Sequence, residues 1–232
     1  MSRDRKSECL EDMRRRILTR NIVPGADLDE AALCAEYSLS RTPMREIFQR
    51  LNGEGLIQIE QNRGAKVSSM DLATMRVFFQ TAPMIYCNIA RLAAENRTTA
   101  QLADLRAIQQ EFRAATDAGD AEVASFRNHR FHEQIGLMAH NPYLIVALRR
   151  MLIDHTRLSQ IFYRPSGDDE AARVQASVAQ HDQMIEAIES HDAEAAISLT
   201  MDHWNLTRDR LERYVMPDPL PTETHAPEFQ GA

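Results

Sequence analysis

The sequence has little glycine, 8 of 232 residues, beside abundant alanine, a balance that favours helices over sheets. It has three cysteines, Cys9, Cys34 and Cys87, and no CxxC pair. An odd, scattered set excludes a disulfide framework and points to free thiols in a reducing cytoplasm. No apolar run approaches the ~20 residues needed to cross a bilayer, so no membrane partner is expected. The charged start, Met1-Ser2-Arg3-Asp4-Arg5-Lys6, has no apolar stretch behind it and does not read as a signal peptide. Basic excess is absent as well. The net charge of -7 excludes a protein that coats nucleic acid through charge alone. No internal repeat or low-complexity tract is present.

What is there is ordinary globular material, 44% hydrophobic and 26% charged, enough for a real core in one large or two modest domains. The charge is unevenly placed. Residues 1–70 hold twelve Lys or Arg against eleven Asp or Glu, and the remainder holds fifteen against twenty-three. A near-neutral first third can bind DNA if its arginines cluster on one face.

Residues 7–20 predict a helix with Leu10, Met13, Ile17 and Leu18 on one side, ended by Pro24-Gly25. Leu28 to Tyr37 predicts a second helix. Ser40 or Thr42 can cap a third, with Pro43 in its first turn and Met44, Ile47, Phe48 and Leu51 inward, stopping at Gly53-Glu54-Gly55. Two β-like runs follow, 56–59 and 65–67, joined by Gln61-Asn62-Arg63-Gly64. Three helices and a hairpin make a winged helix-turn-helix, whose second motif helix enters the major groove by its N-terminal part. Arg41, Thr42 and Arg45 occupy that part. A guanidinium fork suits guanine O6 and N7. Arg50, Arg63 and Lys66 are expected on phosphates, and Gly64 would let the wing backbone come close. The alternative for the arginines is a solvated face with ion pairs to Glu46.

From Asp71 the pattern predicts six helices, about 71–96, 99–118, 120–140, 142–163, 168–190 and 192–215. Thr98 and Gln101 resemble a capping box, and Asn141-Pro142 an N-cap with proline at the first helical position. Pro83 should kink the first of these helices. Residues 217–232, with four prolines, read as a disordered tail. The expected domains are therefore 1–69, 70–216 and that tail.

Asn128 and His132 lie four apart and share a helix face, continued inward by Ile135 and Ala139. His181 precedes Ile185 and Ile188 on a later helix. His203 follows Ala196 and Leu199 on the last. Three histidines thus emerge from apolar stripes on three helices and can converge on a zinc, nickel or similar ion with an open position. Spacing alone favours the other reading, three unrelated core histidines, because no signature such as HExxH accompanies them. His129, His140, His155, His191 and His225 fall at helix ends or on polar faces and are expected in solvent. The cysteines and eleven methionines read as core filler.

Four stretches carry a long, ordered resemblance: 22–28, Ser40-Arg41-Thr42-Pro43-Met44-Arg45-Glu46, 50–57 and 62–67. They resemble the DNA-binding domain of the GntR family of bacterial regulators. Phe131-His132, Asn141-Pro142, 181–188, 192–196 and His203 resemble its FadR-type ligand domain, often called FCD. The resemblance spans about residues 10–215. It implies a homodimer on a palindromic operator and a helical sensor domain that binds a small organic acid, often with a divalent metal. The ligand set it implies is Asn128, His132, His181 and His203, with Asn128 where the family carries aspartate. The family's pocket arginine and glutamate fall on Ala82 and Tyr86. Tyr86 is then a pocket residue, and Arg130, Arg149 or Arg157 would have to supply the cation for an acid. The expectation is a ligand-responsive transcription regulator, a repressor in the first instance, and not an enzyme. A metal-dependent hydrolase fused to a winged helix and a protein-interaction adaptor are the alternatives.

Overall fold

The computed structural model describes residues 2–60 and 64–215, with side chains described for residues 5–60 and 64–206. Arg63 and the 217–232 segment read as a tail lie outside the described residues. The first unit comprises α1 (Ser2–Leu18), β1 (Asp27–Leu28), α2 (Glu30–Glu36), α3 (Arg41–Glu54), β2 (Ile57–Glu60) and β3 (Gly64–Val67). Six helices follow: α4 (Leu72–Asn96), α5 (Thr99–Asp117), α6 (Ala121–Met138), α7 (Pro142–Phe162), α8 (Asp168–Glu189) and α9 (Ala193–Val215). The protein is mainly helical, with the sheet confined to the wing.

Two expectations in the first unit need correction. Residues 27–28 are a strand: Asp27 pairs with Lys66 and Leu28 with Ala65, so β1 adds a third strand to the wing in the order β1-β3-β2. The second helix starts later, at Glu30, because Asp29 caps it by accepting from the Ala31 and Ala32 amides. Leu28 still faces the core, but from a strand. Helix α3 begins at Arg41 after Ser40 and ends at Gly55, whose φ of +84° is the left-handed value that suits glycine there.

In the second unit the stop signals act as the sequence indicates. Thr98 and Gln101 form a reciprocal capping box, and Asn141 accepts from the Tyr143 and Leu144 amides with Pro142 at the helix start. Pro83 lies within a single continuous helix α4. Helix α4 packs on α9, α6 and α7, α5 on α6 and α8, α6 on α7, and α8 on α9. A β-carbon on Gly136 of α6 would collide with the side chains of Leu148 and Ile145 of α7, so those two helices need a residue without a side chain at their crossing.

Helix α7 joins the two units. Ile153 completes the core of the winged unit, among Met13, Ile17, Leu51 and Leu56. Arg157, one turn on, is fully buried and donates to the Ser68 and Leu56 carbonyls at 3.1 and 3.4 Å and to Asp154 at 3.2 Å. Asp154 also meets Arg150 at 3.2 Å. Burial nevertheless raises the Asp154 pKa above its ordinary value, so its two partners do not fully offset its desolvation.

Replacing Arg157 with methionine removes the donor to both carbonyls and leaves Asp154 with its half-exposed partner. The expected loss is about 3 kcal/mol in urea denaturation, the scale for breaking a buried pair. Arg150→Ala, at the exposed end of the same carboxylate, should stay within about 1 kcal/mol.

Candidate functional site

The exposed arginines come first. Arg41 and Arg45 stand at the start of α3 with 73% and 65% of their side chains exposed. Neither pairs with Glu46, which Lys6 engages instead. Both approach Glu30, at the start of α2: Arg45 at 3.2 Å and Arg41 at 3.9 Å. Thr42 is exposed beside them. Arg50, also exposed, approaches Glu54 at 3.5 Å. In the wing, Gly64 is exposed with φ +86°, and Lys66 lies 3.7 Å from Asp27. Helix α3 and strand β3 thus turn six residues, Arg41, Thr42, Arg45, Arg50, Gly64 and Lys66, toward solvent, with Met44, Ile47, Phe48 and Leu51 buried on the inner face of the helix.

The second site is inside the helical unit. His132 of α6, His181 of α8 and His203 of α9 are buried, and one ring nitrogen of each lies within 4.8 Å of the other two. Their tautomers follow from neighbours. Gln109 Nε2 donates to Val178 O and Asp182 Oδ1, both at 3.0 Å, which turns its oxygen toward His181. His181 Nδ1–H therefore donates to Gln109 Oε1 at 3.0 Å, leaving its Nε2 as a bare lone pair. His203 Nδ1–H donates likewise to Gln180 Oε1 at 3.1 Å. The two Nε2 atoms then face each other at 3.3 Å, two acceptors with no proton between them. His132 Nε2 and Asn128 Oδ1 are buried with no hydrogen-bond partner among the described residues.

That arrangement fits a bound cation. Two nitrogens held about 2.0–2.1 Å from a tetrahedral ion stand about 3.3 Å apart, and glutamines holding the far nitrogens are the usual kind of outer support. Asn128 Nδ2 lies 3.4 Å from both His155 Nε2 and Ser159 Oγ, while Ser159 donates to the His155 carbonyl. The amide nitrogen thus faces His155 and Ser159, which leaves the Asn128 oxygen without a partner among the described residues and available to a cation.

Correction is needed at His155. It is not on a solvated face: it is buried, its Nδ1 lies 2.7 Å from Tyr86 Oη, and its ring is 4.9 Å from that of His132. The misleading signal was its polar company, Asp154, Thr156 and Arg157. On a helix enclosed by two units those residues are buried too. The informative pattern was Leu148, Leu152, His155, Ser159 and Phe162, one buried face. Gln109 was also missed, although it interrupts the buried row Leu102, Leu105 and Phe112 on α5. His129 is half-buried against Thr156, and His191, exposed with φ +58°, lies 2.6 Å from the Ala94 carbonyl.

Of the residues expected from sequence around an effector, Tyr86 lies beside the histidines, 5.4 Å from the His132 ring and 5.7 Å from the Trp204 ring. The three arginines are not brought to it. Arg130 is exposed, Arg149 pairs with Glu133 at 2.9 Å on the surface, and Arg157 is spent on the junction. Arg130 lies on α6 and Arg149 on α7, both at the surface, and only Arg157 is turned toward the winged unit. Three cavities lie elsewhere, none lined by His132, His155, His181 or His203; one of about 540 Å³ sits between the units and is lined by Arg20, Met70, Met75, Phe79, Leu158 and Ile161 among others.

Comparison with known proteins agrees with this division. Residues 6–67 match the gntR family of bacterial regulatory proteins, and residues 79–206 match the FCD domain. The chain is similar to the galactonate operon transcriptional repressor of Escherichia coli (strain K12), 26% identical over 209 residues, covering 81% of this chain and 89% of that protein. It is 32% identical over 129 residues to the HTH-type transcriptional repressor RspR of the same organism, covering 53% of this chain and 57% of that one. The solved structure of E. coli McbR/YncC superposes with a TM-score of 0.76 at 18% identity, covering 90% and 98% of the two chains, a likeness of fold.

Burial lowers the basicity of all four central imidazoles, His155 to about 3, His203 to about 4, and His132 and His181 well below the histidine norm. In the unfolded chain they take up protons near pH 6.5, so below that the unfolded state binds more protons. Stability should therefore be greatest above pH 6.5 and fall as the pH drops toward 4, by at most about 1.4 kcal/mol per pH unit for any one histidine. Urea midpoints at pH 7.5 and 5.0 measure this, and His155→Gln should flatten the dependence.

Proposed function

The chain belongs to the GntR family of bacterial regulatory proteins, with an FCD domain as its second unit, and from that premise we propose a metal-assisted repressor that releases its operator when a small acid binds among the helices. The family are DNA-binding, ligand-responsive transcription regulators and not enzymes. Among the described residues no carboxylate belongs to the candidate ligand group with the three histidines, which gives the hydrolase alternative no support.

The observation that carries the DNA reading is the exposed Arg41–Arg45 pair at the N-terminal end of α3. Arg41, Thr42 and Arg45 read base edges, while Arg50, Gly64, Lys66 and Arg63 follow the backbone. A palindromic operator requires two copies. Helix α4 leaves Val77 and Met84 exposed, seven residues apart on one face, which suits burial against a second chain. One repressor similar to this chain is named for a galactonate operon, and galactonate is an organic acid, which favours that class of effector here. Zinc or nickel is the ion suited to three imidazoles and an amide oxygen.

Helix α7 supports a route between the sites. His155 touches Tyr86 and Asn128 on one side, and Arg157 on the other holds Ser68 and Leu56, the end of the wing. An effector changes DNA affinity only through different affinities for two arrangements, and this helix has contacts in both units.

Fluorescence anisotropy with promoter DNA tests the first part. Arg45→Ala and Arg41→Ala should each weaken specific binding about ten- to a hundredfold, and Lys66→Ala should lessen the salt slope by about one. Unchanged affinity in both arginine variants would remove α3 as the reading helix. Elemental analysis tests the second. Zinc or nickel should be retained by the native protein and lost in His132→Ala or His181→Ala; no metal after loading at neutral pH would end the metal reading and leave the DNA reading standing.

A further inference from the structure

The cavity of about 540 Å³ between the units is built from both of them and from the segment that links them. Arg20 and Val23 come from the turn after α1, Ser69 and Asp71 from the link, and Phe79 and Leu158 from α4 and α7. Cavities of this size accept small molecules. The wall is mostly apolar. Val23 and Leu72, which flank it from the two units, are 58% and 59% exposed. Open apolar surface on both units around one cavity marks a place for an apolar body.

The polar groups single out one charge. Asp71 has both oxygens taken: Oδ1 accepts from the Thr74 amide at 2.8 Å and Oδ2 from Ser69 Oγ at 2.9 Å. The Arg20 guanidinium has no hydrogen bond or ion pair among the described residues. Its backbone holds φ +64°, a left-handed value that costs a non-glycine residue. Glycine would fit that turn more easily, and the chain carries an arginine there. Arg157 feels the same excess of positive charge. Burial lowers its basicity, Asp154 raises it, and the charges of Arg150 and Arg20 lower it further. An anion beside Arg20 would relieve both.

The geometry points to a ligand site for an amphipathic monoanion at this junction, its charged head on Arg20 and its apolar body against Phe79, Leu158 and Ile161. The site is separate from the histidine group, because none of His132, His155, His181 or His203 lines it. Held by both units at once, the ligand favours the arrangement in which they enclose it. Its effect on DNA rests on α3 being the reading helix.

Octane-1-sulfonate is the probe, since a sulfonate stays ionised and is a poor ligand for metal ions. Trp204, the only tryptophan in the sequence, lies 5.7 Å from the Phe79 ring and reports binding by its fluorescence. On the full chain the sulfonate should change that emission and bind at least about tenfold tighter than octan-1-ol or octylammonium. Arg20→Gly suits the left-handed backbone, so that variant should keep its urea midpoint and bind the sulfonate at least about tenfold more weakly. Val23→Asp, at a position already open to water, should weaken it likewise. Saturating sulfonate should shift promoter affinity at least about threefold in the native chain and in His181→Ala, and not in Arg20→Gly. No binding, equal binding of the three probes, or undiminished binding in Arg20→Gly overturns the site. So does a dimer that Val23→Asp divides while no probe binds, because a second copy then covers the apolar mouth. Binding with no shift in promoter affinity overturns the coupling and leaves the site. A native chain that binds no promoter removes the regulator reading, and the fluorescence alone then decides the site.

Discussion

A buried guanidinium must find acceptors, and that requirement organises this protein. Arg157 lies in the middle of α7 with no access to water, and its partners are a carboxylate on its own helix and two backbone carbonyls of the winged unit. A hydrophobic side chain there could tolerate sliding between the units. A charged fork cannot, because any displacement leaves polar groups unmet in a dry setting. The orientation of the DNA-reading unit is thereby tied to the helix that also carries His155. Everything proposed about communication between the two sites follows from that one helix having its opposite faces committed to different domains.

The interior of the helical unit is arranged on a different principle. Glutamines, not carboxylates, hold the far nitrogens of His181 and His203, and the buried oxygen of Asn128 belongs to a neutral amide. Neutral supports fix tautomers without adding charge. The lone pairs of His181 and His203 are consequently aimed at each other while remaining weakly basic, since burial disfavours the imidazolium form.

Much of this was legible in the sequence, for reasons that differ by element. The helices after Asp71 were readable because their ends carry explicit chemistry, such as Thr98 with Gln101 and Asn141 before Pro142. The His132, His181 and His203 stripes were readable because each histidine sits among apolar neighbours at helical spacing. Strand β1 was not, because two residues paired to a distant strand leave no periodicity to detect. His155 was hidden by a helix buried on more than one side, where polar neighbours no longer mark the outside. The destination of the arginines was invisible too: Glu30 comes from a separate helix, and the carbonyls at Ser68 and Leu56 have no signature in side-chain chemistry.

Glu30 deserves a last consequence of its own. Its carboxylate occupies the space between the two recognition arginines before any DNA arrives. If these arginines read base edges as proposed, the carboxylate has to be released first, so it competes with every incoming acceptor, phosphate and guanine edge alike. Contact with DNA at this surface would then begin with an attraction given up.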